Sequence, residues 1–149
     1  MRQQSRGLGR GVRRAALAFL ALISAVTGAW ALVAPQSFFT TFPAPGHPWI
    51  ALLPPYNEHL VRDVGAFNLS FALLFAWATL ALERRLTQAT LVAYLVYAVP
   101  HLIYHIGHLM RFPPADAAAQ TVSLFIVVVI PLALLADASR PSRSPLVES

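Results

Sequence analysis

The chain has 149 residues, of which 57% are apolar and only 11% charged, with no cysteine and a formal charge of +5. A soluble domain carries about a quarter of its residues as charged side chains, so an ordinary water-soluble globule is excluded, and the lack of thiols excludes disulfides and thiolate metal sites. All 11 basic residues are arginine. Their placement reads as a topology signal and gives no sign of a nucleic-acid partner.

The first 14 residues hold Arg2, Arg6, Arg10, Arg13 and Arg14 and read as a basic tail. A bilayer core needs about 20 residues of apolar helix, and four segments are expected to supply it: 15–34, 64–82, 91–110 and 120–136. They are continuously apolar and rich in Ala and Leu, which is unlike the alternation of a membrane β-barrel. The fold class is therefore all-α, a four-transmembrane-helix bundle making up a domain over 15–137. Arg13 and Arg14 before an apolar run that ends in ALVA imitate a secretory signal, but the run exceeds the roughly 7–15 residues of such a segment, so retention is expected.

Between the first two spans, Pro35–Tyr56 holds six prolines, a GHPW stretch and Phe38, Phe39, Phe42 and Trp49. Proline fixes turn or extended geometry, and aromatic residues favour the headgroup level. A proline-rich outer loop lying on the surface is expected, with SFFTTF as an interfacial helical turn.

The second span opens with YNEHLVRDVG, which concentrates ionisable residues in an otherwise apolar chain. Asn57 suits a helix N-cap. Glu58 with Arg62, and His59 with Asp63, are i, i+4 pairs, each able to share one helix face.

A link containing Arg84 and Arg85 follows, and then the third span, where His101, His105 and His108 stand at i, i+4 and i+7. On a regular helix these form one stripe about 10 Å long. Pro100 removes a backbone donor beside His101 and is expected to free the carbonyl of Val96, and Tyr104 is placed to hydrogen-bond the cluster. The fourth span begins from the polar AAAQ and carries Pro131 near its end. Residues 138–149, polar and containing Arg140 and Arg143, read as a disordered tail.

With four spans, both tails and the Arg84–Arg85 link fall on one side, while the other side has only Arg62 and Arg111. The positive-inside rule then predicts a multi-pass protein of the cytoplasmic (inner) membrane with both termini in the cytoplasm. The bilayer is the expected partner, with a second copy or another membrane protein as further partners.

This topology brings the head of the second helix and the end of the third to one outer level. An outward-facing pocket is expected there, formed by Glu58, His59, Arg62 and Asp63 with His101, Tyr104, His105 and His108. Imidazole and carboxylate together suit zinc or non-haem iron, with His59, Asp63, His101 and His105 as ligands. A bis-His haem held by His59 and His105 uses the same pair of helices, and a small polar ligand is the third form of a binding module. Two other readings stay open. The cluster can lock two helices of a structural or accessory subunit, with Glu58–Arg62 as an ion pair and His108 snorkelling to the surface, or it can belong to a proton-coupled transporter. Neither the zinc-protease motif nor the histidine boxes of membrane desaturases is present, so no reaction is assigned.

The blocks SFFTTFPAPGHPW, LPPYNEHLVRDVGAFNLSFA, ERR and VYAVPHLIYHIGHL together resemble a family of small four-helix actinobacterial membrane proteins with no assigned activity, and the layout is distantly similar to DoxX-like proteins. The resemblance covers nearly all of the chain except the tails. It implies a shape and a membrane location, and it supplies no substrate.

Overall fold

The computed structural model describes residues 7–53 and 55–138. Four long helices dominate: α1 (Arg10–Val33), α3 (Glu58–Ala81), α4 (Arg84–Ile106) and α5 (Pro114–Ala138). All four are long and apolar enough to cross a membrane. Their outer faces carry bare apolar side chains such as Leu22, Leu73, Trp77, Leu80, Val96 and Ile103. A water-soluble bundle rarely exposes apolar surface on this scale; a multi-pass membrane protein presents it to lipid.

The spans are longer than the apolar runs alone predict. α1 starts at Arg10 and so takes in part of the expected basic tail, while Arg2 and Arg6 lie outside the described residues. α3 begins at Glu58 because the Asn57 side chain accepts from the Leu60 amide at 3.2 Å. Arg84 and Arg85 are the first helical residues of α4, leaving Leu82 and Glu83 as the whole link. The expected disordered tail lies outside the described residues except for Ala138, which ends α5.

The molecule is built from two helix pairs. α1 packs along α3, and α4 packs along α5, with lighter contact between the pairs. The first pair is set by glycine. A Cβ on Gly28 would stand 2.8 Å from the Gly65 carbonyl oxygen, and a Cβ on Gly65 would stand 2.6 Å from the Leu32 nitrogen. Backbone meets backbone at this crossing, the geometry that small residues permit where lipid removes the hydrophobic drive for association. Between the pairs runs a core of Leu17, Leu20, Phe75, Leu91, Leu102 and Leu134. Phe71 meets Tyr94 edge-on at 5.2 Å and Phe67 approaches Tyr97 at 5.9 Å, which closes the α3–α4 seam with aromatic rings.

At the end where α1 begins and α5 finishes, Asp137 of α5 is buried. It accepts from the Leu8 amide at 2.8 Å and pairs with Arg13 at 2.7 Å. Nearby, Glu83 caps α4 by accepting from the amides of Arg85 and Leu86 at 2.9 and 2.7 Å. α4 continues as helix through Pro100, and α5 continues through Pro131.

Gly65→Ala is expected to force α1 and α3 apart at a cost of about 1–3 kcal/mol, seen as a lower thermal midpoint in detergent. Gly11→Ala, where a new Cβ meets nothing within 4 Å, should leave that midpoint level or slightly raised.

Glu83 gives a pH signature. The amides of Leu86 and Arg85 hold its carboxyl below the ordinary carboxylate range, so its stabilisation is complete above the unfolded value of about 4.3 and is lost as pH falls through the lower folded value. The thermal midpoint of the wild type should drop on acidification through that window. Glu83→Gln should start lower at neutral pH and show a shallower drop.

Candidate functional site

The end opposite Asp137 is covered by the loop between α1 and α3. Its first part is the short helix α2 (Pro35–Thr41), with Pro35 at its first position, where the missing amide is harmless. The expected helical turn at SFFTTF is thus present. Next come two short antiparallel strands, β1 (Pro43–Ala44) and β2 (His47–Pro48), joined through Gly46 at φ 88°, a left-handed turn that suits glycine. The Trp49 amide donates to the Phe42 carbonyl at 2.8 Å. Trp30, Phe38, Phe42 and Trp49 interlock through edge-on and tilted contacts, which makes the loop a compact aromatic cap.

The cap is fastened to α5. His47 Nδ1 pairs with Asp116 Oδ1 at 2.7 Å, with the imidazole more than half exposed and the carboxylate largely covered. The buried indole N–H of Trp49 faces the same carboxylate without reaching full hydrogen-bond geometry. Asp116 also lies in the first turn of α5, where a negative charge is favoured by the helix dipole.

Under this cap, between the helix pairs, is a cavity of about 180 Å³. Its walls are mainly apolar and aromatic, including Phe38, Trp49, Tyr94 and Tyr97, and its polar lining comes from Thr27, Asn68, His101, His105, Gln120 and Ser123. No carboxylate or guanidinium lines it among the described residues. Asn68 donates to its own helix at the Val64 carbonyl, 2.9 Å away. The His101 and His105 rings lie edge-on at 4.5 Å, and Tyr97 stacks on His101 at 5.4 Å.

Gln120 is 1% exposed. It approaches the His105 imidazole from α5 without reaching full hydrogen-bond geometry, so neither its amide nitrogen nor its amide oxygen, nor His105 Nδ1, has a well-formed hydrogen bond among the described residues. Leaving such a group buried and unsatisfied costs about 1–3 kcal/mol. The cavity therefore presents one donor and two nitrogen or oxygen acceptor positions, depending on the imidazole tautomer, at a single apolar-walled spot.

The residues expected to converge are divided in two. His101 and His105 share the cavity. Glu58, His59, Arg62 and Asp63 do not line it, because α3 turns Gly65 and Asn68 inward and leaves its first turn outside. There Arg62 pairs with Glu58 at 2.8 Å and also donates to the Leu32 carbonyl, so it closes the C-terminal end of α1. His59 and Asp63 pair with each other at 3.2 Å on an exposed face.

His108 leaves the expected stripe because α4 ends at Ile106, with Gly107 as its cap. Its Nδ1 meets the Tyr104 carbonyl at 2.7 Å, and its ring stacks on Tyr104 at 4.1 Å. Tyr104 itself is 41% exposed and stands outside the cavity. Among the described residues, no group of three or more His, Asp or Glu gathers as a metal ion would require.

Gln120, Asp116 and His47 are the site residues that the sequence reading passes over. A signal existed: Gln120 is the one amide in an apolar helix and falls at i+4 from Asp116 and i−3 from Ser123, on one face. No known protein family, curated protein or solved structure matches the chain.

Asp116→Asn should loosen the cap by weakening its contact with His47. In a background with Trp30→Phe and Trp77→Phe, Trp49 emission should shift to the red, and proteolysis between Pro43 and Leu53 should quicken.

Proposed function

We propose that the protein is a ligand-binding module of the cytoplasmic membrane, with both termini in the cytoplasm and the capped cavity near the opposite surface. Support for the orientation comes from the arginines. Arg13, Arg14, Arg84 and Arg85 belong to the end where Asp137 joins α1 to α5, and positive residues favour the cytoplasmic side.

The observation that carries the binding reading is Gln120, fully buried beside His105 and a cavity, with neither amide atom in a well-formed hydrogen bond among the described residues. Binding sites combine apolar walls with a few convergent polar groups in this way. A small organic ligand fits the lining better than a metal ion does, because the carboxylate expected as a ligand, Asp63, is paired with His59 on an exposed face, and no carboxylate lines the cavity beside His101 and His105 among the described residues.

Protein purified in detergent should carry or accept a small organic molecule that raises its thermal midpoint. Gln120→Leu and His105→Ala should each weaken that binding by about 5- to 150-fold, the equivalent of about 1–3 kcal/mol for a lost buried hydrogen bond. Elemental analysis and an absorption spectrum on the same samples decide the rival. Stoichiometric metal or a haem band, lost in His101→Ala and His105→Ala, would replace the organic ligand with a cofactor. Colourless, metal-free protein that no ligand stabilises would leave a helix-locking accessory subunit.

A further inference from the structure

With α1 packed along α3 and α4 along α5, the cavity between the pairs is approached past the cap or through either inter-pair seam, and these differ in how they are closed. The cap side is sealed by Phe38, Phe42 and Trp49 and fastened by His47–Asp116. The α3–α4 side is sealed by the rings of Phe67 and Phe71 against Tyr94 and Tyr97. No comparable ring contact closes the α1–α5 side among the described residues. These helices touch little, and their contact at the end where α1 begins runs through Arg13 and Asp137. Higher up, Ile23 of α1 and Ser123 of α5 both line the cavity and are both exposed on the lipid-facing surface, Ile23 by 40%.

The interior restricts the ligand's chemistry. About 180 Å³ is comparable to the roughly 150 Å³ engineered cavity that holds benzene, so one ring fits. A charged ligand would lose its hydration with no opposite charge among the described lining residues. Gln120 leaves its amide nitrogen and its amide oxygen without well-formed hydrogen bonds, and a single hydroxyl can engage both, since it accepts from an N–H and donates to the oxygen. A carbonyl or ether oxygen satisfies only the donor.

We infer that the cavity takes a neutral, lipid-soluble ring compound bearing a hydroxyl, of the alkylphenol class, and that it loads from the bilayer through the seam between α1 and α5. This rests on the binding reading above and adds the ligand class and the route.

The test uses the full chain in phosphatidylcholine nanodiscs, with Trp49 as the remaining tryptophan and its emission as the readout. Three probes are compared: para-butylphenol, its methyl ether para-butylanisole, and the water-soluble para-phenolsulfonate. Saturable quenching by the phenol, binding of the ether at least tenfold weaker, and no response to the sulfonate are expected. Gln120→Leu should remove the difference between phenol and ether. Ser123→Phe, and separately Ile23→Phe, should slow the association rate for the phenol at least tenfold in stopped-flow measurements; both substitutions lie at the lipid-exposed mouth, and either one that folds suffices.

Unchanged rates in a folded plug variant would overturn the lateral route while leaving the cavity as a binding site. Ether and phenol binding equally would overturn the hydroxyl assignment. Failure of all three probes, with some other organic molecule still stabilising the protein through Gln120, would overturn the ligand class alone. Failure of every organic ligand would remove this inference together with the binding reading.

Discussion

The structure depends on a contact between two backbones, where Gly28 and Gly65 let α1 and α3 cross with no side chain between them. In lipid, helices gain nothing from hiding apolar surface, so close fit and polar pairing must hold them. The crossing also fixes the rotation of α3. With Gly65 turned toward α1, Asn68 one turn on looks into the interior, and Arg62 one turn before reaches the end of α1. The position of the ionisable residues at the head of α3 follows from that rotation: they serve the helix end and leave the cavity to groups from α4 and α5.

The second pair, α4 with α5, supplies the chemistry. His101 and His105 come from one helix and Gln120 from the other, so the polar spot exists only when both are in register. A buried amide with neither atom in a well-formed hydrogen bond is a destabilising element in the bundle. The contrast with Asn68 is informative, since that amide donates to its own helix and takes part of its need there.

Much of the fold was legible in the sequence, because a bilayer demands long apolar runs and those runs are plain. The helix ends were less so. Asn57, Glu83 and Pro114 start helices several residues before the apolar stretch begins, since capping and first-turn chemistry tolerate polar residues. The i, i+4 spacing of His101 and His105 was legible for the same reason, being local. Two things were not. The His47–Asp116 pair joins positions 69 residues apart, and no periodicity reveals such a partner. Gln120 was hidden because the AAAQ stretch reads as a polar lead-in, whereas the helix already starts at Pro114 and carries that amide within the span. His108 shows the opposite case: a regular spacing interrupted by the helix stopping at Gly107.

The buried Asp137 gives the molecule a mechanical character. The α1–α5 seam is tied at one end by that carboxylate and bridged at the other by the cap latched to Asp116, and between these ties it carries exposed side chains such as Ile23 and Ser123. A gap held at both ends and free in the middle is squeezed by whatever acyl chains surround it. Were the cavity to load through this seam, as proposed above, the lateral pressure of the bilayer would act on the width of its opening, and a change in lipid packing would be felt where a change at Ile23 or Ser123 would be.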